Sequence, residues 1–156
     1  MTAVLVMLIL VLAVGVVLRD TRLPGTRDCP SAAFVGAALA MAVGAPSSTS
    51  EPNFLACSYP ARGGRALSID ASSNPPGTPS SAPCRARPAI PALGRGACDM
   101  SGTSGTSRQG ASVLVQPASE PGLEIQFTSY TARIPLAKLE ALAAKTLETH
   151  PLPLAL

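Results

Sequence analysis

Leu-Glu-Ile-Gln-Phe-Thr-Ser, residues 123–129, alternates between apolar and polar side chains more regularly than any other part of this chain. Leu123, Ile125 and Phe127 would lie on one face of an extended strand, and the polar residues between them on the other. A period of two is typical of a strand with one buried face, as in antiparallel sheets. The stretch therefore predicts an antiparallel sheet with one apolar face.

Three other segments complete a predicted sheet of about four strands. Phe54–Tyr59 and Arg65–Ala71 are separated by the turn signal Gly63-Gly64 and together are typical of a hairpin. Ala111–Gln116 is a further apolar strand. The segment Gly94–Met100 predicts a short strand or a turn.

Two helices are predicted to pack on this sheet, which gives the α+β class. The first, Ala32–Val43, follows Ser31, whose hydroxyl can accept from the free N–H groups of a first turn. The second, Ile134–Thr149, has Pro135 where the first helical residue would lie, a position that suits proline. Its apolar face consists of Leu136, Leu139, Leu142, Ala143 and Leu147.

A stripe of small residues runs along the first predicted helix: Ala32, Gly36, Ala40 and Gly44. Such spacing lets a helix approach its neighbour closely. The neighbour is either the sheet or, if this segment lies in a bilayer, another membrane helix. Between the predicted elements, Ala45–Asn53, Ser72–Pro83 and Ser101–Gly110 have the proline-rich or polar composition of loops, and we expect the last two to be mobile.

Residues Ala3–Leu18 carry no charged or strongly polar side chain. A helix of this length approaches the thickness of the hydrocarbon core of a bilayer, about 30 Å. We expect an uncleaved transmembrane anchor, because no basic region precedes the run and no small-x-small cleavage site ends it. A cleaved signal and a buried helix of a soluble domain are the alternatives. The chain then divides into residues 1–18 (anchor or signal), 19–28 (linker), 29–150 (one domain) and 151–156 (tail).

Four cysteines lie beyond the apolar run: Cys29, Cys57, Cys84 and Cys98. The even number, the lack of a Cys-x-x-Cys motif and the single histidine favour two disulfides over a zinc site. Three pairings are possible. We favour Cys29–Cys57 with Cys84–Cys98, because each bond closes a local loop.

Two features give opposite predictions for the side of the membrane. Arg19, Arg22 and Arg27 follow the apolar run, and the positive-inside rule would leave the rest of the chain in the cytosol. The cysteines favour an oxidising compartment. We give the cysteines more weight and expect the domain to be extracytoplasmic, or secreted if the first segment is cleaved.

The net charge of +3 is too small to indicate nucleic-acid binding, but residues 60–110 are locally basic. Only Asp70 and Asp99 oppose the arginines there. This segment is either a solvated surface or a site of contact with anionic lipid or cell-wall polymer. The arginines are Arg62, Arg65, Arg85, Arg87, Arg95 and Arg108.

The sequence contains no recognisable catalytic, cofactor-binding or metal-binding motif. It lacks a nucleophile elbow, a dinucleotide fingerprint and a phosphate-binding Gly-x-x-x-x-Gly-Lys. His150 stands alone near the end of the second helix, and the acidic residues are scattered. Tyr59 and Tyr130 are interpreted as partly buried structural residues. We expect no enzymatic activity, no cofactor and no metal.

The order of these features resembles a known group of proteins. Cys29 precedes an alanine-rich helix that ends in Val-Gly-Ala-Pro, Cys57 and Tyr59 share a strand, and Cys84 and Cys98 precede two strands and a closing helix. Over residues 29–149 this resembles small actinobacterial envelope proteins and lipoproteins of unknown function, which are similar to extracytoplasmic sensor domains of bacterial kinases. This chain lacks their lipid-attachment cysteine. The resemblance implies an α+β domain, two disulfides and no established catalytic residues.

The sequence thus predicts a membrane-anchored, extracytoplasmic binding or accessory domain of the cell envelope. Its expected partners are membrane lipid and another envelope or membrane protein. The alternative is a small structural subunit of a larger membrane protein complex.

Overall fold

The computed structural model describes residues 29–74, 84–102, 110–118 and 122–149, which form an α+β domain. The helices are α1 (Ala32–Leu39) and α2 (Leu136–Thr149), and Pro91–Leu93 forms a single 3-10 turn. The strands are β1 (Ser47–Glu51), β2 (Phe54–Ala61), β3 (Gly64–Ser73), β4 (Ala97–Asp99), β5 (Ser112–Val115) and β6 (Leu123–Ser129).

The six strands form one antiparallel sheet in the order β1-β2-β3-β6-β5-β4. Each half of the sheet is a three-stranded meander that runs from an outer edge to the centre. The halves meet where β3 pairs with β6, with Ile69 opposite Phe127. This central pairing joins residues that are 50 to 62 positions apart in sequence, from Ser73 with Leu123 to Leu67 with Ser129.

The apolar core lies on one face of this sheet. Residues directly opposite each other in antiparallel strands share a face, so Cys57, Ile69, Phe127 and Val113 form a row across four strands. All four are 1 % exposed or less. Helix α2 packs against β5, β6 and α1, and its Leu139, Leu142 and Ala143 join the core together with Val35 and Leu39 of α1.

The strand prediction for residues 123–129 is confirmed residue for residue by β6, and the predicted hairpin is confirmed by β2 and β3. The sheet has six strands and not about four, because β1 and β4 are added at its edges. Strand β4 lies in Gly94–Met100, for which we predicted a short strand or a turn. Strand β1 lies in Ala45–Asn53, which we predicted to be a loop. All five of its residues are exposed, so it is formed by backbone pairing with β2 and has no apolar alternation to reveal it.

Helix α1 begins as predicted but ends four residues earlier than Val43. The backbone N–H of Phe34 donates to the Ser31 hydroxyl at 3.2 Å, which confirms the N-cap. Ala40 adopts a left-handed conformation (φ 50°), and the N–H of Met41 donates to the carbonyl oxygen of Gly36 at 3.1 Å. This Schellman-type closure ends the helix.

Helix α2 begins at Leu136, two residues after the predicted start at Ile134. Pro135 lies one position before the helix, and its carbonyl oxygen accepts from the N–H of Leu139 at 3.3 Å. The buried face also includes Thr146, whose hydroxyl donates to the carbonyl oxygen of Leu142 at 2.8 Å. A threonine can lie in this core because its hydroxyl has that partner.

Both disulfides have the predicted pairing. Cys29–Cys57 fastens the chain before α1 to the core face of β2, with 5.6 Å between the Cα atoms. Cys84–Cys98 fastens the segment before β4 to that strand, with 5.4 Å between the Cα atoms. The four sulfurs are therefore not available as thiolate ligands for zinc.

Several predictions concern residues outside the described ranges: the anchor Ala3–Leu18, the linker at 19–28, residues 75–83 and 103–109 of the two loops, His150 and the tail at 151–156. Among the residues that the structure describes, no helix has the length and apolar character needed to cross a bilayer.

Candidate functional site

A cavity of about 190 Å³ lies at the end of the sheet where the β2–β3 turn meets the chain that follows β6. Three arginines line it: Arg62 from the turn, Arg65 from the start of β3, and Arg133 from the other wall. The remaining lining residues are Met41, Ala61, Gly63, Gly64, Ala66, Tyr130 and Thr131. None of the described lining residues is acidic, so we call this cavity the arginine pocket.

The first wall is shaped by the turn and by a β-bulge in β3. Gly63 takes a φ of 99°, which allows the tight reversal between β2 and β3. Beyond the turn, Pro60 pairs with Arg65 but Tyr59 pairs with Leu67, so Ala66 is an extra residue in the ladder. With strict alternation, Arg65 would lie on the core face together with Leu67. The bulge places Arg65 on the opposite face of the sheet instead.

The second wall is the turn after β6. The buried hydroxyl of Ser129 accepts from the N–H of Ala111 at 3.2 Å and lies 3.0 Å from the carbonyl oxygen of Ile134, to which it donates. The N–H of Ile134 donates to the carbonyl oxygen of Thr131 at 3.2 Å, and the N–H of Arg133 to the Thr131 hydroxyl at 3.3 Å. These bonds hold the backbone of Arg133 against the domain.

Tyr130 connects the two walls. Its N–H donates to the carbonyl oxygen of Ala66 at 2.9 Å, and the guanidinium carbon of Arg65 lies 5.4 Å from the centre of its ring. This distance is typical of a cation–π contact. The ring therefore restricts the Arg65 side chain at the edge of the pocket.

A short hydrogen-bond chain leads from Tyr130 along the polar face of β3. The Tyr130 hydroxyl lies 3.3 Å from the hydroxyl of Ser68, which donates to the Asp70 carboxylate at 2.9 Å. Burial raises the pKa of Asp70 above its ordinary value, opposed by the Ser68 hydrogen bond and by the positive charge of Arg65. Asp70 does not line the pocket, but its charge acts on the arginine that does.

The pocket has a strongly positive character. Arg62, Arg65 and Arg133 are exposed, and none of them forms a salt bridge with another described residue. A guanidinium group offers five N–H donors and no acceptor, and it matches carboxylate and phosphate groups with two parallel bonds. The arrangement is therefore suited to binding an anionic group.

The structure divides the basic segment that the sequence analysis singled out. Arg62 and Arg65 enter the pocket, whereas Arg85, Arg87 and Arg95 are exposed elsewhere, and Arg108 lies outside the described residues. Arg133 lies outside that segment and carries no signal in the sequence that marks it as a pocket residue. Arg133 reaches the pocket because the pairing of β3 with β6 places Tyr130 beside Ala66. A single sequence does not provide that pairing, so it could not reveal Arg133.

Of the two tyrosines interpreted as structural residues, Tyr59 lies in the core and Tyr130 lines the pocket. Tyr59 is fully buried, more completely than we predicted, and its hydroxyl donates to the carbonyl oxygen of Pro30 at 2.7 Å. Tyr130 is partly buried, as predicted, but it also lines the pocket. In the described parts of the chain, no three histidine, cysteine or acidic residues are grouped as metal ligands would be.

Comparisons with models of protein families, with curated proteins and with solved structures find nothing that matches this chain.

Proposed function

We propose that this protein is a membrane-anchored, extracytoplasmic binding domain of the cell envelope that captures an anionic ligand in the arginine pocket and does not act as an enzyme. The observation that carries this proposal is that Arg62, Arg65 and Arg133 line one cavity with no acidic residue among its described lining residues. Three arginines at one cavity raise the local concentration of anions. The two disulfides support an oxidising location.

The alternative role, a subunit that packs its small-residue stripe on other membrane helices, has less support. The position of a Cβ on Gly36 would lie 2.9 Å from the carbonyl oxygen of Met41. A Cβ on Gly44 would lie 2.8 Å from the ring of Pro60. Both glycines therefore already lie in close contacts within the domain, and those contacts explain why these positions have no side chain.

The proposal is tested by extracting the full chain from its native membrane in mild detergent and identifying bound small molecules by mass spectrometry. We expect an anionic envelope molecule with the wild type and its loss from an Arg62→Glu/Arg133→Glu double variant. A matched Arg87→Glu/Arg95→Glu variant, which changes two exposed arginines outside the pocket, should retain it. Equal ligand content in all three proteins, or no ligand in any of them, would contradict the proposal.

A further inference from the structure

The arginine pocket has room for only one end of a molecule. Its volume is about 190 Å³. Pockets that enclose a whole drug-sized ligand have volumes of about 300 to 1,000 Å³. A ligand therefore inserts a terminal group, and the rest of it lies outside.

The charge and donors of the pocket discriminate between anionic terminal groups. A carboxylate has one negative charge and two oxygens, which a single bidentate guanidinium already matches. A phosphomonoester has a charge of about −1.5 to −2 at neutral pH and three strongly accepting oxygens. Arginines on two separate walls, Arg62 and Arg65 on one and Arg133 on the other, can contact different oxygens of one such group.

The first wall is also organised before a ligand arrives. The Tyr130 ring restricts Arg65, and the Tyr130 hydroxyl is itself held 3.3 Å from Ser68. A side chain that is already ordered loses less conformational entropy when it binds. The Arg65 guanidinium therefore has less conformational freedom to lose on binding than an unrestrained arginine would have.

From these features we infer that the arginine pocket binds a terminal phosphate group, that is, a phosphomonoester at the end of a larger envelope molecule. This inference rests on the proposed function and specifies its ligand class. A phospholipid headgroup and a soluble phosphate ester share this chemistry, and the experiment distinguishes them.

The experiment uses the full-length oxidised protein in detergent micelles at constant ionic strength. Inorganic phosphate and acetate are titrated separately, and binding is followed by the NMR shifts of the backbone amides of Gly63 and Gly64 in the pocket wall. We expect phosphate to bind at least about tenfold more tightly than acetate. Hydrogen bonds from a guanidinium to phosphate are stronger than those from a neutral amide, so Arg62→Gln and Arg133→Gln should each weaken phosphate binding by about tenfold or more.

The matched control is Arg95→Gln, an exposed arginine outside the pocket, which should bind phosphate like the wild type. Short-chain phosphatidic acid and glycerol 3-phosphate then separate the two sources. Tighter binding of the lipid identifies a headgroup, and equal binding identifies a soluble ester; both support the phosphate inference.

Two results would overturn it in different ways. If acetate binds as tightly as phosphate and both depend on Arg133, the phosphate inference fails while an anion-binding function stands. If no anion shifts the pocket amides, the inference and the proposed function fail together.

Discussion

Tyr59 shows how one hydroxyl group connects two elements of the core. Among the described residues Tyr59 is the largest fully buried side chain, and its hydroxyl donates to the carbonyl oxygen of Pro30 just before α1. The neighbouring disulfide Cys29–Cys57 joins the same two segments. Burial raises the pKa of the Tyr59 hydroxyl, so this group keeps its proton in the folded state at pH values where the unfolded chain loses it.

Replacing Tyr59 with phenylalanine should lower the free energy of unfolding by about 1 to 2 kcal/mol, because the buried Pro30 carbonyl loses its donor. Urea denaturation at neutral pH measures this loss. The wild type should also lose stability above about pH 10, the ordinary pKa of tyrosine, because only the unfolded chain ionises there. The Tyr59→Phe variant should lack that part of the decline. Parallel stability curves for the two proteins above this pH would refute the assignment.

Asp70 provides the corresponding test in acid. Its pKa is raised in the folded state mainly by burial, so the folded protein binds this proton more readily than the unfolded chain does. Asp70 therefore contributes most to stability at pH values below the pKa of its carboxyl group in the unfolded chain. This contribution declines as the pH rises through the pKa of the same group in the folded protein. At neutral pH the ionised carboxylate therefore weakens the fold.

Asp70→Asn should accordingly be more stable than the wild type at pH 7, by less than about 1 kcal/mol because solvent screens a partly exposed group. The advantage should shrink as the pH falls towards the acid range. Ser68→Ala removes the hydrogen bond that opposes the shift, and it should make the wild-type decline with pH steeper. Thermal unfolding from pH 3 to 7 measures all three proteins, and an Asn variant with an unchanged pH slope would disprove the linkage.

Among the elements, α1 is closed by a residue that is poorly suited to its backbone. Ala40 has a φ of 50°, in the left-handed region that costs a residue with a Cβ about 1 to 2 kcal/mol. Glycine has no such cost, although it has more conformational freedom to lose on folding. The closure of the helix by Met41 and Gly36 therefore persists against local strain.

Ala40→Gly is expected to stabilise the protein by up to about 1 kcal/mol. The substitution relieves the backbone strain at this position, and the greater entropy of glycine in the unfolded chain offsets part of that gain. The control is the same chemical change at Ala37, an exposed position inside α1, which should destabilise by about 1 kcal/mol. The two variants thus have opposite signs in a urea titration. Destabilisation by both would mean that Ala40 does not close the helix in solution.

The elements also show what a single sequence reveals. Strand β6 was predicted with its correct bounds because it is buried on one face and its alternation is complete. Strand β1 was missed because an exposed edge strand needs no apolar residue. The end of α1 was missed because Ala40-Met41-Ala42-Val43 suits a helix by composition, and the closure that ends α1 depends on local geometry.

The candidate site was predictable only in part, and for a similar reason. Two of its arginines flank a recognisable turn signal, Gly63-Gly64, and lie in the segment that we identified as basic. The placement of Arg65 depends on the bulge at Ala66, which reverses the face that simple alternation assigns. The third arginine, Arg133, reaches the pocket through the pairing of β3 with β6, which is a property of the whole sheet.

At the scale of the whole molecule, the disulfides compensate for a core with few large side chains. Phenylalanine and tyrosine make up 3 % of the chain and tryptophan is absent. The bonds close loops with sequence separations of 28 and 14 residues. Chain-entropy estimates for loops of these lengths give about 3 to 4 kcal/mol of stabilisation each.

Replacing either cysteine pair with alanines should therefore lower the free energy of unfolding by about 3 to 4 kcal/mol, with a somewhat larger loss for Cys29/Cys57 because its loop is longer. Guanidinium denaturation of each double variant measures the loss, and the fully reduced wild type should be less stable than either. A loss below about 1 kcal/mol for both pairs would show that the domain does not depend on these bonds.

The same bonds give the prediction about location. Structural disulfides persist in exported proteins and are rare where cellular thiols are kept reduced. Trypsin cuts after arginine and lysine, so Cys29 and Cys57 fall in one peptide, residues 28–62. The mass of this peptide should be lower by two hydrogen atoms before reduction than after it. Cys84 and Cys98 fall in separate peptides, 66–85 and 96–108, which should be found linked. If peptide mapping of alkylated native membranes instead found four free thiols, the chain after residue 28 would face the cytosol, and the positive-inside prediction from Arg19, Arg22 and Arg27 would be the correct one.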